Sequence, residues 1–284
     1  MLAVATAAGC GAVVSDAPIA GPAGPSSSPA TLAAEEDRRP RFVPDTQGQG
    51  ADVAMPVVFP DGTRAAIMYP RQIDLAGMGL QPDVTLIWDG RWIGPIVFAY
   101  GDPQRSLLAG RSPLAVHDVG GQRVEEWDGR AAQDIGYGWH RWLLFRLPRW
   151  TVHVPVDHLM ETSEVLDAVV PGTTDEGFAI VEVSSPATLA GGYGEVGGPQ
   201  LSLGDLHPLP DYVRTSDEGI LIDVAPSECG DSDPTVQVHG DYASACLGGS
   251  LFVNGTSFSG TQESRDVLAQ IVKGLGVEEF EPAR

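Results

Sequence analysis

Residues 84–100 read VTLIWDGRWIGPIVFAY, a pattern typical of a β-hairpin. Two apolar runs rich in β-branched and aromatic residues flank the dipeptide Asp89-Gly90, which is a strong signal for a β-hairpin turn. The same order of strand, Asp-Gly turn and strand occurs around Asp61-Gly62 and Asp128-Gly129. The sequence therefore predicts a chain built mostly of antiparallel β-strands.

Two segments have the apolar spacing of a helix instead. They lie near residues 160–170 and 261–275. Thr162 or Ser163 can cap the start of the first segment, and Gly274 or Gly276 can end the second. We therefore predict an α+β fold, mostly antiparallel β with these two helices. Because each helix follows a run of strands, the chain also suggests a pseudo-repeat of two halves, 52–174 and 175–280.

The charge of the chain excludes several kinds of partner. Its 284 residues include 17 Lys and Arg against 38 Asp and Glu, which gives a net charge of −21. A nucleic-acid binder needs basic residues to neutralise phosphates, so we predict no nucleic-acid partner. Anionic lipid likewise needs a basic surface. The imbalance is concentrated in residues 151–284, which hold 22 acidic and 4 basic residues.

All six Trp residues lie in the first 150 residues, and the tetrapeptide Trp-Asp-Gly-Arg occurs at both 88–91 and 127–130. Flat aromatic rings beside Asp and Arg can stack on sugar rings and hydrogen-bond to their hydroxyls. The alternative is that Trp residues at hairpin ends fill the core and stabilise cross-strand pairs. Both interpretations stay open. The candidate ligand-binding residues are Trp88, Trp92, Trp127 and Trp139.

The amino terminus suggests export. Residues 7–10, Ala-Ala-Gly-Cys, resemble the lipobox of bacterial lipoproteins, which implies that residues 1–10 are a truncated signal segment and that Cys10 carries a lipid anchor. The segment lacks the basic region of a signal peptide, which a start codon placed downstream of the true one would explain. An ordinary Ala-rich terminus is the alternative. Residues 11–50 have the Gly, Ala, Pro and Ser content of a disordered linker, and we expect a β-rich globular domain at 52–280.

The other two cysteines, Cys229 and Cys246, are the natural disulfide pair if Cys10 is lipidated. Two cysteines without a second pair make a poor zinc site. A disulfide would indicate an extracytoplasmic compartment. Two free buried thiols, in an intracellular protein with a wrongly assigned start, are the alternative.

Motifs for catalysis, metals and cofactors are weak. Residues 192–197 match G-x-G-x-x-G, but a strand-like segment follows them where a dinucleotide site needs a helix. A G-x-S-x-G nucleophile motif is absent from the sequence. His153 and His158 do not have the spacing of a helical zinc pair. The sequence therefore predicts no catalytic residue, no metal and no cofactor.

Three segments, 55–80, 138–154 and 250–276, resemble uncharacterised exported proteins and lipoproteins of high-GC Gram-positive bacteria. The resemblance covers the arrangement of residues 55–275 and implies a compartment but no activity. We therefore expect a cell-envelope lipoprotein, held at the membrane only through its lipid anchor. Its expected role is a noncatalytic binding or interaction module for an envelope ligand or protein. The alternative is an extracytoplasmic hydrolase whose catalytic residues are dispersed along the chain.

Overall fold

The computed structural model of the chain describes residues 41–49, 51–101, 111–129, 141–191, 198–204, 219–227, 229 and 236–283. Residues Arg39–Arg284 form one compact unit. Cys10 and the rest of residues 1–40 lie outside the described residues.

Antiparallel strands make up most of the described chain. In order they are β1 (Gln47–Gln49), β2 (Asp52–Val58), β3 (Arg64–Pro70), β4 (Leu80–Trp88), β5 (Arg91–Tyr100), β6 (Ala115–Val119), β7 (Gln122–Asp128), β8 (Arg141–Arg146), β9 (Trp150–Val156), β10 (Val169–Thr173), β11 (Ala179–Val183), β12 (Ala187–Gly191), β13 (Gln200–Gly204), β14 (Ile220–Pro226), β15 (Gln237–His239), β16 (Tyr242–Leu247), β17 (Leu251–Ser257) and β18 (Gly276–Glu281). The helices are α1 (Thr162–Ala168) and α2 (Gln262–Gly274), with a 3₁₀ turn at Ala76–Met78.

Twelve of these strands form one large sheet. Its order is β15-β16-β17-β14-β13-β4-β5-β9-β8-β7-β6, and β12 also pairs with β4. A four-stranded sheet has the order β1-β2-β3-β18, and β10 pairs with β11. The predicted α+β class with mostly antiparallel strands is confirmed. The pseudo-repeat of halves 52–174 and 175–280 is not confirmed, and strands of the two segments pair with each other at β13–β4 and β18–β3.

The quoted hairpin forms as its sequence predicts. Strands β4 and β5 pair antiparallel, and Trp88 lies opposite Arg91 at the closing end. Asp89 and Gly90 have φ angles of 50° and 72°. Both therefore occupy the left-handed region that a type I′ turn requires, which Asp and Gly tolerate better than other residues.

The main core lies on one face of the large sheet. Helix α2 covers strands β16 and β17 with its buried residues Leu268, Ile271 and Val272. Gly255 on β17 permits this close approach, since a Cβ atom there would collide with the Leu268 side chain. The opposite face of the large sheet is called the outer face below.

The two helices differ in how well their observed ends match the segments predicted from the sequence. Helix α2 begins after Thr261, whose hydroxyl accepts the N–H of Ser264, and it agrees with the predicted segment 261–275. The other predicted helix, 160–170, ends at Ala168 because the two valines that follow belong to β10. β-Branched residues favour a strand, and the proline after them disfavours the helical conformation of the residue before it.

The last part of the expected linker 11–50 belongs to the folded unit. Phe42 is buried, with its ring 4.8 Å from Phe178 and 5.8 Å from Trp150. Its carbonyl oxygen accepts the N–H of Leu80 at 2.8 Å. The expected domain boundary at residue 52 therefore leaves out Phe42, which packs in the core. The composition of a forty-residue segment does not reveal a single buried aromatic residue within it.

Cys229 and Cys246 form a disulfide, which ties residue 229 to strand β16. Disulfides persist in oxidising compartments, so this bond agrees with a location outside the cytoplasm. As for membrane spans, neither helix of the described residues has the length and hydropathy needed to cross a bilayer.

Candidate functional site

The outer face of the large sheet carries an aligned set of polar side chains. Five neighbouring strands each place one hydrogen-bonding residue in register with the next. This set, the polar row, consists of Gln81 on β4, Ser202 on β13, Asp223 on β14, Asn254 on β17 and Ser244 on β16. Ser202 is buried and the other four are partly exposed. At the usual strand spacing, the row is about 19 Å long.

Hydrogen bonds fix parts of this surface. The Ser202 hydroxyl donates to a carboxylate oxygen of Asp223. One row further along the same strands, the Gln200 amide donates to Asp83 Oδ2 at 2.8 Å. Burial raises the pKa of Asp83, although the bond from Gln200 opposes that rise. These contacts orient two carboxyl groups on the outer face.

An exposed aromatic ring flanks the polar row. Tyr242 lies on β16, two residues before Ser244 and therefore on the same face, and it is 51% exposed. Its cross-strand partner is Thr256 on β17. The outer face therefore offers a ring for stacking next to donors and acceptors of hydrogen bonds. The sequence alone does not reveal this arrangement, because the polar residues come from five separate segments and meet only through the strand register.

The outer face continues over β5, β9, β8 and β7, where it is aromatic and buried. The rings of Trp142 and His153 meet at 6.1 Å with planes 72° apart. No described residue provides a hydrogen-bond partner for Trp142 Nε1 or His153 Nε2, although both atoms are buried. Burial lowers the pKa of His153 to about 3, helped by the charge of Arg146, so this ring is neutral at neutral pH. Buried polar atoms without partners are rare in folded proteins.

Two arginines lie beyond these rings, where β7 begins and β8 ends. Glu125 lies 3.4 Å from an Arg123 nitrogen and 3.5 Å from an Arg146 nitrogen. It also accepts the indole N–H of Trp127 at 3.2 Å. One carboxylate therefore contacts two guanidinium groups of this acidic chain.

A cavity of about 540 Å³ opens beside the two arginines. Its walls come from the turn before β7, the end of β8 with the turn after it, and strand β10. The cleft is open, and two of its lining residues are glycines. The lining residues are Gly121, Gln122, Arg123, Arg146, Leu147, Pro148, Pro171, Gly172 and Thr173.

The Trp residues predicted to bind a ligand do not form one surface in the described chain. Trp88 is partly buried and packs against the main core. Trp92 on β5 is 56% exposed, whereas Trp127 on β7 is buried. Strands β9 and β8 separate these two, and Trp139 lies outside the described residues. Binding by these residues stays a prediction.

A second polar cluster lies at the core side of the sheet. Glu126 is buried. Its carboxylate accepts hydrogen bonds from Arg141 Nη1 and Thr162 Oγ1, both at 3.1 Å, and a second carboxylate oxygen lies within hydrogen-bond distance of His117 Nε2, at 3.0 Å. Burial raises the pKa of Glu126, but the hydrogen bonds from His117, Thr162 and Arg141 outweigh it and lower the pKa overall. Arg141 also donates to the Met160 carbonyl at 2.7 Å. The cluster therefore fastens α1 to the sheet.

Metal ligands and the remaining sequence motifs add nothing further to the site. Within the described part of the chain, no three His, Cys, Asp or Glu side chains come together as a metal site would require. The glycine-rich segment 192–197 lies outside the described residues.

Compared with known proteins, the chain matches no family model, no curated protein and no solved structure.

Proposed function

We propose that the protein is an extracytoplasmic, noncatalytic binding module and that its polar row binds a polyhydroxylated ligand such as a saccharide. The observation that carries this proposal is the register of Gln81, Ser202, Asp223, Asn254 and Ser244 across five adjacent strands. A sheet fixes the spacing of such side chains, so an extended ligand can meet the four partly exposed residues without ordering a loop, while the buried Ser202 positions Asp223.

The chemistry of the row suits hydroxyl groups. A hydroxyl both donates and accepts a hydrogen bond, and the row combines an acceptor carboxylate with amides and hydroxyls that do both. Tyr242 adds an exposed ring on which the apolar face of a sugar can stack. Because Ser202 already holds Asp223 in place, binding orders one fewer side chain, and preorganisation of this kind raises affinity.

Anchoring at the membrane is part of the proposal. The Cys229–Cys246 disulfide supports an oxidising compartment, and the lipobox-like residues 7–10 support lipidation of Cys10. In the native host, metabolic labelling with an alkyne fatty acid should mark the wild-type protein. The Cys10→Ser variant should stay unlabelled. Equal labelling of both would refute the anchor at this residue without affecting the proposed ligand.

Isothermal titration with neutral trisaccharides tests the binding function. A panel of maltotriose, cellotriose, chitotriose, mannotriose and xylotriose samples the main linkages. For a trisaccharide that binds, Asn254→Ala and Tyr242→Ala should each weaken binding about tenfold, the value of one lost hydrogen bond or stacking contact. Gln270→Ala, on the exposed side of α2, is the matched control and should bind like wild type. Equal affinities of Asn254→Ala and Gln270→Ala would refute the polar row as the site.

A second candidate function rests on Asp83. Its raised pKa makes it the kind of carboxyl group that serves as a general acid, while Asp223 provides a carboxylate two strands away. An extracytoplasmic hydrolase acting on the same ligand would use both. Release of nitrophenol from p-nitrophenyl glycosides tests it. A hydrolase should lose turnover in Asp83→Asn but keep binding, whereas a binding module should show no turnover in either protein.

A further inference from the structure

We propose that strand β6 is an interaction surface, and that it pairs antiparallel with β6 of a second copy of this chain. The strand, Ala115–Val119, ends the large sheet and pairs with β7 alone among the described strands. The inference goes beyond the proposed function and does not depend on the polar row.

The side of β6 away from β7 carries two residues whose backbone groups point outward. The hairpin of β6 and β7 has a loop of two glycines with positive φ, and Val119 pairs with Gln122 beside it. The pair that flanks a two-residue loop is hydrogen-bonded, and such pairs alternate with non-hydrogen-bonded ones along an antiparallel ladder. The N–H and C=O groups of Val116 and Asp118 therefore point away from β7, where no described backbone group bonds to them.

This edge lacks the features that protect the other sheet edges. Three further strands end the two larger sheets, and two of them, β1 and β15, have only three residues each. The third, β18, has a register shift and carries three glutamates. Short length, irregular register and charge keep sheet edges from pairing with other chains. By contrast, β6 has five residues in regular register, and its Val116 is 50% exposed.

The charge of the chain favours a second copy at this edge. Residues 101–150, which contain β6, β7 and β8, hold seven Arg and six acidic residues, so their net charge is +1. The remaining residues carry −22, which together with +1 gives the total of −21. Like net charges keep copies of a protein apart. Two copies therefore meet at the lowest electrostatic cost through the nearly neutral segment that contains β6.

The two outward residues define the register of the pairing. With a two-fold axis at His117, Val116 of each copy lies opposite Asp118 of the other, and these two pairs form four backbone hydrogen bonds. An axis at Val116 or at Asp118 leaves one of these two residues without an opposite residue in β6. At the axis, His117 lies opposite itself in a non-hydrogen-bonded pair, with Cα atoms about 4.5 Å apart. One short strand per copy makes a small interface, so we expect a weak and reversible dimer.

Disulfide cross-linking tests this register. In a Cys10→Ser chain, His117→Cys provides a single free thiol, because Cys229 and Cys246 are bonded to each other. The expected Cα separation of about 4.5 Å lies within the range of about 4.4–6.8 Å for disulfides. Mild oxidation should therefore link His117→Cys into dimers at least about tenfold faster than His239→Cys, since pairing raises the effective concentration of the thiols. His239, on the exposed edge strand β15 of the same sheet, is the matched control position.

Sedimentation equilibrium of the Cys10→Ser chain measures the association without an introduced thiol. Val116→Pro removes an outward N–H, which an edge strand tolerates, and should weaken the dimer at least about tenfold. Val238→Pro is the matched control and should dimerise like the parent chain. Val238 is 49% exposed, and its backbone also points outward, because it lies one residue from the pair that flanks the two-residue loop of β15 and β16.

Three results would overturn the inference and leave the polar row untouched. The first is a parent chain that stays monomeric at millimolar concentration. The second is a dimer whose affinity Val116→Pro leaves unchanged. The third is cross-linking of His239→Cys that is as fast as that of His117→Cys. A dimer that Val116→Pro weakens and Val238→Pro does not would support β6 as the interface.

Discussion

The two ends of the outer face differ in how exposed their polar groups are and in whether these groups have hydrogen-bond partners. At the polar end, β4, β14, β17 and β16 present two amides, a carboxylate and a hydroxyl that are partly exposed, in one row with the buried Ser202 of β13. At the aromatic end, β9 and β8 bury the rings of His153 and Trp142 against each other. Both ends belong to one continuous sheet, but they differ in the side chains that their strands carry and in how far these are exposed.

A binding surface needs hydrogen-bonding groups that are both accessible and held in place, and only the polar end meets both requirements. The polar end keeps its hydrogen-bonding groups accessible, and internal bonds such as Ser202 to Asp223 fix them. The aromatic end buries polar ring atoms for which the described chain gives no partner, which costs stability. We therefore expect ligand contacts to be concentrated at the polar end, and we expect pH sensitivity of folding to arise at the aromatic end.

The largest expected effect follows from breaking the disulfide that holds the polar end. The double variant Cys229→Ser, Cys246→Ser opens a link between residues 17 positions apart. Its free energy of unfolding should fall by about 3 kcal/mol, because the unfolded chain gains loop entropy. Urea denaturation measures the loss, and hydrogen exchange should show that β16 opens first.

Reduction of the wild-type protein provides the control. A reductant should lower its stability to the level of the double variant and leave the double variant unchanged. Equal stability of the wild-type and variant proteins would show that packing, and not the disulfide, holds this edge of the sheet.

The strands could largely be predicted because their determinants are local. The hairpin at Asp89-Gly90 needs only two residues that tolerate positive φ between apolar runs. The predicted segment 160–170 failed at its end because Val169 and Val170 have the apolar spacing of a helix but pair with β11. That pairing depends on residues more than ten positions away, which periodicity within one segment does not detect.

The site could not be predicted for the same reason. Asp223 stands in an apolar strand as an outward-facing residue, and its alignment with Asn254 and Ser202 follows from pairings with two distant segments. The Trp residues were conspicuous by type, but Trp88 packs against the core and Trp127 is buried. Trp92 is exposed, so residue type alone does not distinguish a packing tryptophan from an accessible one, and the accessible hydrogen-bonding residues are individually ordinary.

A smaller effect is expected from the pH dependence of His153. Its pKa is about 3 in the folded protein and 6.5 in the unfolded chain. The unfolded state therefore binds a proton in this window that the folded state does not, so stability falls as the pH falls from 6.5 toward 3. Between pH 7 and pH 5 this one residue should remove about 2 kcal/mol.

The variant His153→Phe keeps a ring against Trp142 but has no titrating nitrogen. It should lose this part of the pH dependence of stability, measured by urea denaturation at several pH values. His239→Gln, at an exposed histidine of β15, is the matched control and should retain the wild-type slope. An unchanged slope in His153→Phe would show that the aromatic end is not the source.

The smallest effect compares two tryptophans on neighbouring strands. Trp150 faces the main core, and its indole N–H donates to the Gly177 carbonyl at 2.9 Å. Trp142 faces outward, and no described residue accepts its indole N–H. Trp→Phe removes the same volume at both sites, so the cavity costs are similar. Trp150→Phe should nevertheless be about 1–2 kcal/mol more destabilising than Trp142→Phe, because it leaves the buried Gly177 carbonyl without its donor.

Chemical denaturation of the two single variants and the double variant measures this difference. Ring contacts of Trp150 with Phe42 and Tyr100 should be largely kept by phenylalanine, so the excess cost isolates the hydrogen bond. Equal costs for the two variants would mean that the Trp142 N–H gains as much from folding as that of Trp150. The indole N–H of Trp142 would then have its hydrogen bond in the folded protein, and the two ends of the outer face would differ only in exposure.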